Sequence, residues 1–421
     1  MKLYNTITQS VETFQPRDDE VTVYVCGITP YDTTHLGHAF TYSAIDILIR
    51  YLESRHLKVR YVQNITDVDD DILRRAKEVN GDWRELGNRW TQHYIRDMQN
   101  LNVRPPEVLP RASDVIPEII ANIQRLIGVG VAYEAGGNVY YSVDAWPEFG
   151  KLSHLPREKM LPVANERGNH PDDPNKRDPL DFVLWQAQAP GEPGWPSPWG
   201  SGRPGWHIEC SSMATRFLGK VVDIHGGGAD LCFPHHECEI AQAEPISRTQ
   251  PFVRYWFHTA MVRYQGEKMS KSLGNLVMIR DLLKLYTPDA LRLYLGNHHY
   301  RDEWTYDEKD LQKAQKWANQ LREAVTVTGG DGQPLNPDTA WGSFTHDMDN
   351  DLDTPGAVQT MRSLADDIQD AAAVLRNVKK AQEALCDFGH IFGLRLDDPD
   401  AEKRVVDGWN EFIPHFQEDP I

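Results

Sequence analysis

Val21-Thr22-Val23-Tyr24-Val25-Cys26-Gly27-Ile28-Thr29-Pro30 leads shortly afterwards into His35-Leu36-Gly37-His38. The β-branched run predicts a buried strand, and Gly27, Thr29 and Pro30 break it. An amphipathic stretch from Ala39 to Leu52 then predicts a helix. A strand, a tight turn and a helix N-terminus bind phosphate, because free backbone N–H groups and the helix dipole face the ligand. Gly27 would let a nucleotide approach the backbone, and two imidazoles can donate to phosphate oxygens. By itself, His-x-Gly-His fits two histidines capping a helix better than it fits catalysis.

A second stretch changes that balance. Glu267-Lys268-Met269-Ser270-Lys271-Ser272-Leu273-Gly274-Asn275 places two lysines between Gly266 and Gly274. This suits a mobile loop that carries point charges to a polyphosphate. Taken alone it fits a solvated charged loop equally well. The two stretches together resemble the paired signatures of the class I aminoacyl-tRNA synthetases. The segments YVQNITDVDD (61–70), PGWHIEC (204–210) and DIHGGGADLCFPHHECE (223–239) narrow the resemblance. They are similar to cysteinyl-tRNA synthetases and to their relatives, the cysteine ligases of mycothiol synthesis. The likeness covers residues 1 to about 300 and thins beyond.

With 421 residues, 40% hydrophobic and 25% charged, the chain has an ordinary globular composition and room for two to four domains. No apolar run is long enough to span a membrane, and Met1-Lys2-Leu3-Tyr4-Asn5 opens no signal-peptide core. Five scattered cysteines, an odd number, predict a reducing cytoplasm rather than a disulfide framework. Net charge is −18. From Asp331 onward 7 Lys and Arg face 19 Asp and Glu, so two thirds of the excess lies where it would repel RNA.

Alternating strand and helix signals over residues 1–110 predict half of a doubly wound parallel sheet, with Val59–Ile65 as its second strand and helices from Asp70 to about Asn102. Proline-rich residues 104–110 punctuate the chain. Residues 111–200 read as an inserted α+β subdomain, with a helix over Ser113–Gly128 and a hairpin over Ala132–Val143 turning at Gly136-Gly137. Residues 201–262 return to the sheet through a helix carrying Cys210, a strand over Val221–His225 and a last strand over 252–262. The lysine loop and a stem follow over 263–305. A helical bundle is expected over 306–396, with helices near 307–327, 343–348, 354–376 and 379–391, and a short acidic tail over 397–421. The fold class is thus α/β: a Rossmann-like catalytic domain with an insertion and a C-terminal bundle.

The resemblance implies a reaction and a set of residues. Cysteine would attack the α-phosphate of ATP, which arrives with Mg²⁺, and expel pyrophosphate. Positioning and charge stabilisation suffice for that step. His35, His38, Lys268 and Lys271 would be catalytic. Cys26, Gly27, Ile28, Thr29, Thr41, Asn64, Ile65, Thr66, Gly228, Ala229, Asp230 and Lys271 would hold ATP and the adenylate. Asp230 would accept from ribose hydroxyls, in a Gly-Ala-Asp turn where the family carries Gly-Ser-Asp. Thr66 and Trp206 would line the amino-acid pocket, although a core aromatic explains Trp206 as well.

Cys26, Cys210, His235 and Glu239 form no short ligand motif, and a lone strand-end cysteine is usually a buried hydrophobe. The matching positions in the synthetases bind one Zn²⁺, which a set of two thiolates, an imidazole and a carboxylate suits. His235 and Glu239 share a face if Pro234 opens a helix. Soft sulfur on zinc would separate cysteine from serine where an apolar pocket could not. His207 would orient a ligand. Cys232 and Cys238 read as structural, and His236, Glu237 and Cys238 as lying on other faces.

Two acceptors fit. Glu239, the His-His-Glu-Cys-Glu run, Ser272-Leu273-Gly274-Asn275 and residues 111–120 favour tRNA(Cys). The wording at Thr29–Ala39 and Glu166–Asp173, and a tail short of the family's usual C-terminal module, resemble ligases that use the amine of glucosaminyl-inositol. The sequence leans to tRNA. A monomer is expected.

Overall fold

The computed structural model describes residues 1–31, 34–269, 274–396 and 408–416. Its centre is a four-stranded parallel sheet built from β1 (Glu20–Ile28), β2 (Lys58–Ile65), β3 (Val222–Gly228) and β4 (Val253–Thr259), in the spatial order β4-β3-β1-β2. The chain moves outward from β1 to β2 and, after the insertion, outward the other way from β3 to β4. The order therefore reverses between β1 and β3. Ligands of doubly wound sheets bind at this point, outside the carboxyl ends of the strands. Tyr24 pairs with His225 and Val25 with Gly226, so Cys26 and the Gly226-Gly227-Gly228 run emerge side by side there.

The helix expected from Ala39 to Leu52 is longer. It is α1, Leu36–Ser54, and it starts at the signature itself because the His35 side chain caps it, accepting from Gly37 N at 3.1 Å. Gly27 has a structural reason of its own. A Cβ there would overlap the backbone carbonyl of Asn64, and its N–H donates to Asn64 Oδ1 at 2.9 Å. What approaches Gly27 in the structure is the neighbouring strand.

The helical region after β2 divides into α2 (Asp70–Glu78) and α3 (Trp83–Asn100). Asn80 at positive φ breaks it, and Asp82 caps the new start. The residue 113–128 helix begins as a 3-10 turn, Ala112–Val115, and continues regularly over Ile116–Gly128. The expected hairpin is present, Ala132–Ala135 against Asn138–Tyr141. It belongs to a four-stranded antiparallel sheet completed by Phe182–Ala187 and Gly202–Pro204, which periodicity over such short strands did not reveal.

Two helices complete the sheet's ligand side: α4 (Trp206–Leu218) and α5 (Glu237–Ser247). The strand expected over 252–262 is really two. It stops at Thr259, and Val262–Tyr264 turns away to pair with Glu267–Lys268 and Trp304–Thr305. Four bundle helices span Glu308–Thr326, Asp338–Asp349, Thr354–Ala373 and Lys379–Ile391. The second is longer than expected. The third is shorter, since Leu375 takes positive φ just beyond it. One apolar core joins a face of the sheet and α1 to this bundle, and a second joins the other face to α4, α5 and the insertion.

The described part of the expected acidic tail, residues 408–416, packs back onto α3. Trp409 is buried against Tyr94 and donates from Nε1 to the Val103 carbonyl at 2.8 Å. Among the described residues, no helix is long and apolar enough to cross a membrane.

Candidate active site and metal centre

Cys26 leaves β1 at the switch point, and Cys210 faces it from α4 with the two Sγ atoms 3.8 Å apart. Glu239 Oε1 lies 3.6 Å from Cys26 Sγ and 3.2 Å from His235 Nε2. The donor atoms of Cys26, Cys210, His235 and Glu239 all fall within 4.8 Å of one another, and all four residues are buried. His235 Nδ1 is 2.9 Å from His207 Nδ1, which fixes the ring and turns Nε2 toward the thiols. Both His235 Nε2 and Glu239 Oε2 are buried without a hydrogen-bond partner.

Burial, then the facing Cys210 and Glu239, pushes the Cys26 thiol well up. Burial, then Cys210, does the same to Glu239. Burial pushes His235 well down, with His207 and His225 adding to it. Only the Cys26 thiol, donating to Glu239, acts the other way on that carboxylate, and it does not offset burial; a cation at the centre would stabilise the charged forms of both acids. The donor set fits a metal ion on those grounds.

The structure adds histidines that the sequence did not single out. His236, expected on another face, sits with Nε2 3.3 Å from Cys26 Sγ. Phe233 is extended (φ −137°, ψ 133°), so Cys232–His236 is an irregular turn and helical spacing does not govern it. His225 Nε2 is 3.5 Å from Cys26 Sγ. A chain runs onward from His236 Nδ1 to His258 Nε2 at 2.8 Å, and from His258 Nδ1 to Thr6 Oγ1 at 2.7 Å. The signal available was the pair His225 and His258 near the ends of adjacent strands. Cys26, His225, His236 and Glu239 form a second set within 4.8 Å.

Trp206 stacks on His235 with ring centroids 4.2 Å apart. With Thr29 and His207 it lines a cavity of about 480 Å³ that opens toward the insertion. Burial holds His207 neutral, down to about 3. Asn64 spends its side chain within the protein: Oδ1 on Gly27 N, Nδ2 on Thr66 Oγ1 at 3.2 Å. Thr66 N donates to Ile28 O, and Ile65 N to Pro110 O. Thr41 Oγ1 is 2.6 Å from Thr259 Oγ1, which ties α1 to the end of β4. Gly228 ends β3, and Ala229-Asp230 begin a single 3-10 turn there. Asp230 Oδ2 lies 3.3 Å from Arg167 of the insertion.

At the histidine turn, the His35 and His38 rings stack at 3.9 Å. Leu36 N donates to Val277 O at 2.8 Å, and His35 bridges Met278. The segment after the lysine loop is therefore held against the histidine turn. Ser270–Leu273, with Lys271, and the side chain of Lys268 lie outside the described residues.

Residues 13–316 match the family model of the class I (C) tRNA synthetase catalytic domain. A cysteine–tRNA ligase of Dehalococcoides mccartyi is 44% identical over 401 residues, 94% of this chain and 86% of that protein. One from Desulforudis audaxviator is 42% identical, over 96% and 87%. In fold, the chain resembles Mycobacterium tuberculosis methionyl-tRNA synthetase in complex with methionyl-adenylate, at a TM-score of 0.62, 15% identity and 89% coverage of each chain. A catalytic-domain match over some 300 residues, with identity above 40% along nearly the whole chain, makes this protein a member of the class I cysteine–tRNA ligase family.

Proposed function

We propose that the buried cluster and the two signatures divide the work of a cysteine–tRNA ligase between them. The chain is an ATP-dependent ligase: it activates L-cysteine with ATP to cysteinyl-adenylate and pyrophosphate, then transfers cysteine to tRNA(Cys). Cys26, Cys210, His235 and Glu239 would hold one zinc ion, whose soft Lewis acidity favours a substrate thiol over a hydroxyl. The observation that carries this is the convergence of two thiols with His235 Nε2 and Glu239 Oε2, both buried and unpartnered. His207 holds the His235 ring, and Trp206 walls the small side chain in from the cavity.

The adenylate lies along the switch point, from Gly27, Ile28 and Thr29 past Thr41 and Thr66 to Gly228, Ala229 and Asp230. Asn64 and Ile65 act there by tying β1, β2 and the Pro110 segment together. The cysteine carboxylate oxygen bonds to the α-phosphorus, and the bond to the bridging oxygen of pyrophosphate breaks. His35 and His38 stabilise charge on the phosphates, while Lys268 and Lys271 reach pyrophosphate from the loop and Mg²⁺ accompanies ATP. Residues 1–110 and 201–262 would then form the catalytic domain around the 111–200 insertion, with 263–305 and 306–396 as stem and bundle. All five cysteines are free, which suits a monomer working in a reducing cytoplasm.

Cys210→Ala tests the assignment. It should abolish bound zinc, read by elemental analysis, and cysteine-dependent pyrophosphate exchange together. Exchange at the wild-type rate by metal-free protein would refute the zinc role.

A further inference from the structure

Helix α3 overhangs the mouth of the crevice. Gly87 lies against Pro30, and Trp90 and Tyr31 each pack against the small core of α2 and α3. Its outer face carries Arg89, His93 and Arg96 at i, i+4 and i+7, one continuous stripe. Arg280, two residues beyond the Met278 that bridges His35, lies over the Trp90 ring at 5.5 Å, and Trp90 and His93 rings are 5.2 Å apart. The stripe thus borders the histidine turn and the segment that follows the lysine loop.

Its charge is out of keeping with the chain. Net charge is −18, yet Arg89 and Arg96 are exposed and, among the described residues, neither forms an ion pair with a carboxylate. Burial and then Arg280, Arg96 and Arg89 push His93 down, with no carboxylate among the causes. Arg280 differs, since Asp97 and Asp281 share its field. The stripe runs about 10 Å along the helix. That spread, on an outer face, does not converge on one small polyphosphate. It matches successive phosphates of a nucleic-acid strand, with Trp90 and His93 offering flat surfaces beside them.

We infer that Arg89, His93, Arg96 and Arg280, with Trp90, form a docking surface for the ribose-phosphate backbone of the tRNA acceptor arm as its 3′ end enters the crevice. The inference rests on the tRNA-charging function and adds where this chain grips the RNA. Phosphate contacts set position and carry no sequence information, so the surface would raise affinity for any acceptor arm and leave identity to be read elsewhere.

The test is steady-state charging of tRNA(Cys) over a salt series by wild type, Arg89→Gln/Arg96→Gln and Arg89→Lys/Arg96→Lys, with pyrophosphate exchange measured without tRNA on each. The glutamine pair should raise the tRNA KM about 10-fold and flatten the log kcat/KM against log salt slope by about 2, one per phosphate contact. Its exchange rate and ATP KM should equal wild type, which excludes misfolding. The lysine pair should recover most of the loss. An unchanged tRNA KM and slope would overturn the inference, and so would a raised ATP KM, which would assign the stripe to ATP. Wild type that activates cysteine but charges no tRNA would overturn the tRNA-charging function and this inference with it.

Discussion

Two of the buried polar clusters among the described residues are built on opposite rules. At the switch point, Cys26, Cys210, His235 and Glu239 meet with two donor atoms left unpartnered. On α1, Asp46 is also buried, but every need of its carboxylate is met. Oδ2 accepts from Arg50 Nε at 2.9 Å and Arg292 at 2.6 Å, and Oδ1 from Arg104 N at 2.8 Å. Arg292 in turn donates to the Phe392 carbonyl at 2.7 Å. Burial acts to raise Asp46, yet Arg50, Arg292 and the Arg104 amide hold it below its ordinary value. A cluster whose anion is fully partnered, with only Arg292 Nη1 left over, pins α1 to the helical bundle. A cluster whose anion is left short of partners is shaped for something that comes from outside.

The two clusters separate most clearly when the loop charge proposed to act only in the reaction is removed. Lys271→Ala should lower pyrophosphate exchange about 1000-fold, close to 4 kcal/mol of transition-state stabilisation, while bound zinc and Tm stay as in wild type. Cys210→Ala should instead lose zinc and activity together. Loss of zinc in Lys271→Ala would show that cluster and loop are one unit.

Asp46→Asn probes the other cluster. It leaves the Arg292 guanidinium, itself fully buried, without its anion and should cost about 3 kcal/mol in denaturant unfolding. The cysteine KM of the folded fraction should not change. The pH dependence has a definite sign. A carboxyl whose pKa is lowered by folding contributes stability above its unfolded value, near 4, and loses it as pH falls through the folded value. The variant should therefore lose less stability than wild type below about pH 4. An equal acid slope in both would show that Asp46 does not carry this linkage.

The same contrast explains what could be read in the sequence. The opening strand, the histidine turn and the lysine loop are contiguous, so local pattern and resemblance reach them. The four candidate ligands come from β1, α4, the turn before α5 and α5 itself, and only resemblance to a family could join them. His225 and His236 escaped because one depends on strand register and the other on an irregular turn at Phe233. The antiparallel strands of the insertion are too short for alternation to show. The acidic composition from Asp331 onward implies repulsion of RNA, and such charge counts hide a single well-placed indole, Trp409. Asp46 and Arg292, 246 positions apart, carry no local signal.

That indole provides the smallest and most discriminating test. Trp409 brings residues 408–416 onto α3 through two separable contacts: a hydrogen bond from Nε1 to Val103 O, and a ring edge against Tyr94 at 5.8 Å. Tyr94 OH donates to Gln63 at 2.9 Å, and Gln63 adjoins Asn64, which ties β1 to β2 beside Cys210. Trp409→Phe keeps an aromatic edge and gives up the hydrogen bond, so it should cost about 1 kcal/mol, a small fall in Tm. Pyrophosphate exchange should stay at the wild-type value, because the β1–β2 tie at Gly27 does not pass through the indole N–H. Trp409→Ala would empty the site beside Tyr94 and cost about 3 kcal/mol. If the phenylalanine variant keeps its Tm but loses cysteine affinity, the C-terminal segment belongs with the reacting site, and the line drawn here between self-satisfied frame and open cluster lies in the wrong place.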